Sequence, residues 1–301
     1  MQSFYSRGKL LLTGEYVVLD GAKALASPTK FGQYLKVQPI DCPGLIWKSI
    51  DEKKQVWFDC SFTFRSDKFI PSINNETSLR LAQILNAVRS LNKDFLKPGK
   101  GLQITTKLEF SRTWGLGTSS TLINNIAAWA NADPYKLLEL TFGGSGYDIA
   151  CAQSDTPLTY QLKGKNRFIE SVEFNPKFKN SLFFVHLNIK QDSRTGIANY
   201  NLNNKEVNSK ISKISDITSN VLKCHDLYEF ENLITNHENI ISDIIKTRPV
   251  KETLFKDYIG AIKSLGAWGG DFILVTGTLE DMTYFKNKGY QTILSFNDML
   301  V

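Results

Sequence analysis

The stretch Trp114-Gly115-Leu116-Gly117-Thr118-Ser119-Ser120-Thr121 constrains this chain more than any other. An alternating segment (Leu102, Ile104, Thr106, Leu108, Phe110) leads into it as a half-buried strand, and Leu122–Trp129 leaves it with helical spacing. Two glycines let the backbone turn through positive φ and approach a ligand closely, which side-chain-bearing residues resist. Three hydroxyls then sit where a helix opens, and there the unpaired N–H groups and the positive end of the dipole attract an anion. Strand, glycine loop, hydroxyls and helix start together describe a phosphate cradle. Taken alone, a tight turn with Ser/Thr capping accounts for the same residues equally well.

The 301 residues, 42% hydrophobic and 22% charged, match an ordinary soluble globular protein of about two domains. The formal net charge of +6 is spread along the chain without a block of like charges. That excludes a nucleic-acid stripe and suits a modest field around an anionic small substrate. Cys42, Cys60, Cys151 and Cys224 are scattered without a C-x-x-C pair, so reduced and mostly buried thiols are expected. His186, His225 and His237 show no metal-ligand spacing and are expected to be structural or surface residues. No apolar run is long enough for a signal peptide or a bilayer span, so the expected location is cytoplasmic, with no membrane partner.

The N-terminal part reads as β-rich. Tyr16-Val17-Val18-Leu19 runs into Asp20-Gly21, a hairpin-turn dipeptide, and Ala24–Ala26 resumes after it. Phe31–Val37 is a strand candidate, and Leu45–Ile50 with Val56–Phe62 predicts a hairpin. Ser78–Leu91 carries a helical stripe, and Asp133-Pro134 caps and opens a further helix. Leu158–Leu162, Ser181–Ile189, Phe272–Val275 and Gln291–Phe296 read as strands. Helical stripes run through Glu206–Leu222, Asp226–Ile245 and Glu252–Leu265.

Four stretches carry candidate chemistry: Arg7–Glu15, Trp114–Thr121, Gly144–Asp148 and Gly266–Asp271. None is a Walker P-loop, and Gly115-Leu116-Gly117 lacks the third glycine of a dinucleotide fingerprint. In this order they resemble the GHMP kinase superfamily (galactokinase, homoserine, mevalonate and phosphomevalonate kinases), and within it the mevalonate-pathway members most. The resemblance runs from Arg7 to about Val275, nearly the whole chain.

The resemblance implies an α+β, two-domain GHMP kinase fold. Its ATP-binding domain, of the ribosomal-protein-like type, would span residues 1–170 and a ferredoxin-like domain residues 171–301, with nucleotide and acceptor in the cleft between. It implies ATP and Mg²⁺ as cofactors, a small anionic acceptor as substrate, and a monomer or homodimer. The family's phosphate loop falls on Gly115, Leu116, Gly117, Thr118, Ser119 and Ser120. Its catalytic aspartate falls on Asp148, and its N-terminal lysine on Lys9, which would hold that carboxylate ionised and lower the pKa of the attacking oxygen. Ser119 matches a magnesium-binding serine, and Glu139 a magnesium-binding glutamate whose spacing requires a gap. Contacts around the acceptor are implied for Glu15, Ser145, Gly266, Trp268, Lys190 and Arg194, the last through a bidentate fork. A structural ion pair at Glu15 and an exposed basic loop around Lys190 and Arg194 are the plain alternatives.

Departures from the family pattern are visible. Ser111 stands where an upstream proline is usual, and the segment before Asp148 is short. Leu265 replaces a Ser or Thr, and Trp268 a glycine. The expected activity is phosphorylation of mevalonate or phosphomevalonate. A diphosphomevalonate decarboxylase on the same fold and a non-catalytic ligand-binding protein are the alternatives; Lys9 weighs against the first.

Overall fold

The computed structural model describes residues 1–96, 101–189, 196–197, 200 and 208–301. Contacts divide the chain into two compact units that interleave along the sequence. The first comprises 1–8, 31–112 and 117–153, and the second 9–30, 113–116 and 154–301. The chain passes from one unit to the other inside two long strands, β1 (Gln2–Thr13) and β2 (Ala24–Ile40).

In the first unit, β3 (Gly44–Ile50), β4 (Val56–Arg65), β5 (Lys68–Pro71) and β6 (Gly101–Leu108) form a sheet ordered β5-β4-β3-β6-β2. The β3–β6 pair is parallel, Gly44 facing Gly101, while β2 runs antiparallel to β6 with Gln33 facing Leu108. The predicted hairpin is the antiparallel β3–β4 pair. Four helices complete the unit: α1 (Glu76–Leu91), α2 (Thr118–Trp129), α3 (Pro134–Thr141) and α4 (Tyr147–Ala152). Alternation on the strands and the 3.6-residue stripe on the helices meet in one core. Leu35, Trp47, Phe62 and Ile104 pack against Leu81, Leu85, Ile123, Ile126 and Ile149. Asp133 accepts N–H bonds from Tyr135 and Lys136, the cap predicted for α3.

In the second unit, β7 (Leu158–Lys163) pairs with Ala24–Ala26 of β2 and with β8 (Asn166–Ser171). A separate antiparallel sheet follows, ordered β10-β11-β9-β12, from β9 (Leu182–His186), β10 (Ile262–Ser264), β11 (Phe272–Thr276) and β12 (Ile293–Ser295). Counted from β9 this is the 4-1-3-2 order of a ferredoxin-like sheet. Its helices are α5 (Asn208–Lys223), α6 (Leu227–Ile245), α7 (Val250–Leu254), α8 (Met282–Asn287) and α9 (Phe296–Met299). Phe183, Val185, Phe255, Ile262, Ile273 and Phe285 form its core.

Two predicted elements change character. Val17–Asp20 is a short 3-10 turn instead of the first arm of a hairpin. Val17 and Val18 are both buried, and the Asp20 carboxylate takes a hydrogen bond from the Tyr200 hydroxyl, so this segment is held by tertiary contacts. The helix predicted over 252–265 survives only as α7; its C-terminal part becomes β10. A Cβ at Gly260 would stand 2.1 Å from the Thr276 carbonyl, a close approach of backbones that a sheet edge makes and a free helix does not. The stripe Phe255, Tyr258, Ile262 has helical spacing, so local period favours a helix and the tertiary contact overrides it.

Candidate active site

In the first unit, Gly117 takes φ 91° as the N-cap of α2, and no side chain caps the helix. The first-turn N–H groups of Thr118, Ser119 and Ser120 therefore face the helix mouth without an intrahelical partner. Ser119 is exposed there, whereas Ser120 is buried and returns its hydroxyl to the Gly117 carbonyl at 3.0 Å. A buried polar network holds this helix in place. Asn124 donates to Ser6 Oγ at 2.9 Å, and Ser6 Oγ donates to Asn125 Oδ1 at 2.8 Å. Asn125 donates to the Gln33 carbonyl at 2.8 Å, and Thr121 Oγ1 to Gln33 Oε1 at 2.7 Å. Every member is bonded, so the loop is pinned to two strands rather than hung between them.

Asp148 lies half-buried in the first turn of α4, just after the glycine turn that ends α3, and its Oδ1 accepts the Ile149 N–H at 3.1 Å. Ser145 is buried beside it in sequence. Glu139 lies on the exposed face of α3. Among the described residues no group of three His, Cys, Asp or Glu side chains is placed to hold an ion. In kinase sites Mg²⁺ binds through one or two protein oxygens together with phosphates and water. The exposed Ser119 hydroxyl at an uncapped helix start is an oxygen donor of that kind.

In the second unit three of the glycine stretches touch. Lys9, on β1, donates from Nζ to the Gly115 carbonyl at 2.8 Å and from its backbone N to Leu116 O at 2.9 Å. A cation is thereby fixed on the loop. The Gly266–Asp271 stretch is the turn joining β10 to β11. Asp271 sits there at φ 54°, a left-handed conformation rare outside glycine. Gly115, at φ 65°, lies against it: a Cβ would stand 2.3 Å from the Asp271 carboxylate. The Trp114 ring packs edge-on to Phe272, and His186 meets the Thr113 carbonyl at 3.1 Å. The Trp268 amide donates to Tyr16 Oη at 3.2 Å, and the Tyr16 ring stacks on Tyr200.

Beneath these turns lies a cluster of ionisable groups closed off from water. Lys263 is 0% exposed and Glu15 is 1% exposed, and they pair at 2.5 Å. Lys263 Nζ also donates to the Ser264 carbonyl at 2.9 Å. Glu238 accepts from the Ser264 amide at 3.1 Å and from its hydroxyl at 2.6 Å. His237 accepts the Gly14 N–H on Nε2 at 2.9 Å. Burial drives His237 well below its ordinary range, with Lys263 adding to the effect, so the ring is neutral and Nε2 can accept. Burial likewise pushes Glu15 upward against the pull of Lys263, and raises Glu238 to about 7. Lys263 pairs directly with Glu15, while Glu238 is held by Ser264 and feels the ammonium only through its field.

The implied residues therefore fall as follows. Lys9, Gly115 and Leu116 are brought together in the second unit, which also carries Gly266 and Trp268 on the β10–β11 turn whose Asp271 lies against Gly115. Gly117, Thr118, Ser119 and Ser120 form the start of α2 in the first, which also carries Ser145, Asp148 and Glu139. Glu15 is sealed in its ion pair with Lys263. Lys190 and Arg194 lie outside the described residues. Sequence reasoning assigned no part in the site to Lys263, His237, Glu238 or Tyr16. A signal existed: Glu15 and Lys263 are lone charges within apolar runs (Leu10–Val18 and Ala261–Leu265), the pattern of a buried pair.

The chain has the fold of the GHMP kinases. Similar solved structures include a mevalonate kinase, 15% identical at TM-score 0.70, covering 98% of each chain. The Streptococcus pneumoniae phosphomevalonate kinase, solved with phosphomevalonate and AMPPNP, is 15% identical at TM-score 0.70, over 98% of this chain and all of that one. The Lactococcus lactis galactokinase, solved with galactose, is 12% identical at TM-score 0.66, over 100% of this chain and 93% of that one. No family model matches the sequence, and no curated protein matches it.

Proposed function

We propose that this chain is an ATP-dependent kinase that transfers the γ-phosphoryl group to mevalonate or phosphomevalonate. The observation that carries the proposal is the ordered set of glycine stretches on a chain whose fold follows small-molecule kinases over 98% of its length. The lysine bonded to the glycine loop supports it further, because a positive charge on such a loop would favour a triphosphate bound there.

MgATP, when bound, supplies the phosphoryl group and neutralises part of its charge. The amides of Gly115 through Ser120 would hold the phosphates, and the Ser119 hydroxyl, with Glu139, would hold the metal. Asp148 accepts the acceptor's hydroxyl proton as its oxygen bonds to the γ-phosphorus and the bond to ADP breaks. Lys9 offsets the negative charge that gathers on the transferring group. Ser145, Gly266 and Trp268 shape the acceptor's place, and Lys190 and Arg194 bind its acidic group. Phosphoryl transfer asks little more of a protein than such positioning and charge.

A coupled ADP-release screen with mevalonate, phosphomevalonate, homoserine and galactose tests the proposal. Turnover with one of the first two is expected. Phosphate release accompanied by carbon dioxide from diphosphomevalonate would identify a decarboxylase instead, and ATP binding without turnover on any acceptor would identify a binding protein.

A further inference from the structure

The cluster beneath the site is built from charge where packing alone would serve more cheaply. A buried ion pair is often replaceable by apolar residues without loss of stability, so Lys263 and Glu15 call for another explanation. Their partners supply one. Glu15 follows Gly14, whose N–H is held by His237, and precedes Tyr16, whose hydroxyl takes the Trp268 amide. Lys263 precedes Ser264, whose amide and hydroxyl are held by Glu238 and whose carbonyl is held by Lys263 itself. Two residues later begins the turn that carries Trp268 and Asp271. The ion pair is thus the link between the turn after β1 and the turn between β10 and β11. Both turns end in the strained backbone that packing must hold: Tyr16 at φ 64° and Asp271 at φ 54°.

We propose that Lys263 is a positioning residue for phosphoryl transfer: its buried ammonium, shared between Glu15 and the Ser264 carbonyl, fixes the Gly14–Tyr16 turn to the Gly266–Asp271 turn. Trp268 is then held on Tyr16, and Asp271 is held against Gly115, the residue whose carbonyl receives Lys9. Lys263 touches neither nucleotide nor acceptor. It acts by keeping the Gly115 loop, to which Lys9 donates, and the Trp268 turn in one arrangement. The role in a reaction rests on the kinase proposal; the clamp itself does not.

The test uses the full-length protein as Lys263→Met and as the double variant Glu15→Gln/Lys263→Met. The single variant leaves a buried carboxylate without its cation and can fail to fold. The double variant removes both charges and keeps the volume, so it provides a folded protein for comparison. Amide hydrogen exchange, read by mass spectrometry on peptides covering 9–19 and 262–276, is measured beside kcat and the KM for ATP. In the double variant, exchange in both segments is expected to rise about tenfold or more, while the β3–β4 hairpin keeps its protection. The kcat is expected to fall on the order of 100-fold with the KM for ATP held within a few-fold, the split that misplaced groups produce. Unchanged exchange in the two segments would overturn the clamp, whatever the activity. Raised exchange with wild-type kcat would overturn the role in transfer. A wild-type protein without turnover on any acceptor overturns the kinase proposal and the role in transfer with it, and the exchange result then judges the clamp alone.

Discussion

Replacing Gly115 by alanine strikes a close approach in the second unit, between the glycine loop and Asp271. At φ 65° an L-residue in the left-handed region costs about 1–2 kcal/mol. The new methyl would stand 2.3 Å from both the Asp271 Cγ and Oδ2. Either the loop or the carboxylate must shift, and overpacking of that kind costs about 1–3 kcal/mol. The sum is about 2–5 kcal/mol against a total stability of about 5–15 kcal/mol for a folded protein. At about 2–4 °C per kcal/mol for a chain somewhat shorter than this one, the melting temperature should fall by on the order of 10 °C. Thermal unfolding by circular dichroism without nucleotide measures it. The double variant Gly115→Ala/Asp271→Gly separates the two terms, since it removes the carboxylate and leaves the φ cost at 115. Its stability should exceed the sum of the single variants by about 1–3 kcal/mol. A Gly115→Ala protein that melts with the wild type, or a cycle additive to within about 0.5 kcal/mol, would refute the contact.

Two further outcomes follow from the same structure. Glu238 carries a folded-state pKa raised to about 7 from an ordinary 4.5, so its contribution to stability is full below about pH 4.5 and lost as pH rises through about 7. Wild type should therefore lose on the order of 3 kcal/mol relative to Glu238→Gln between those limits, read as urea midpoints; an equal gap at pH 5 and pH 8 would contradict the burial argument. Asp148→Asn should cut kcat by about 10²–10⁴-fold with unchanged far-ultraviolet dichroism and melting temperature; retained turnover would remove Asp148 from the chemistry.

Much of this fold is legible in the sequence because local pattern and tertiary packing agree. The β3–β4 hairpin, α1 over the stripe read at Ser78–Leu91, α3 with its Asp133-Pro134 start and α6 after Asp226 all lie where local pattern places them. Legibility fails where long-range contacts decide. Val17–Asp20 carries a hairpin dipeptide, yet its valines are buried and the Asp20 carboxylate is held by Tyr200, 180 residues away. The stripe at 252–265 suits a helix until Gly260 is laid against the Thr276 carbonyl. The glycine stretches were visible because such bends need residue types that announce themselves. The Lys263–Glu15 cluster was not, because a partner 248 residues away leaves only two isolated charges in apolar surroundings.

The central claim is that a phosphoryl group moves from ATP to a small acceptor. Phosphorus-31 NMR of the protein with MgATP and, separately, mevalonate or phosphomevalonate follows that group directly. The γ resonance should decline as an acceptor-bound phosphate signal grows in one of the two mixtures, and the Asp148→Asn protein should slow that change by about 10²–10⁴-fold. An intact ATP spectrum with every acceptor, from protein shown by titration to bind the nucleotide, would contradict the account.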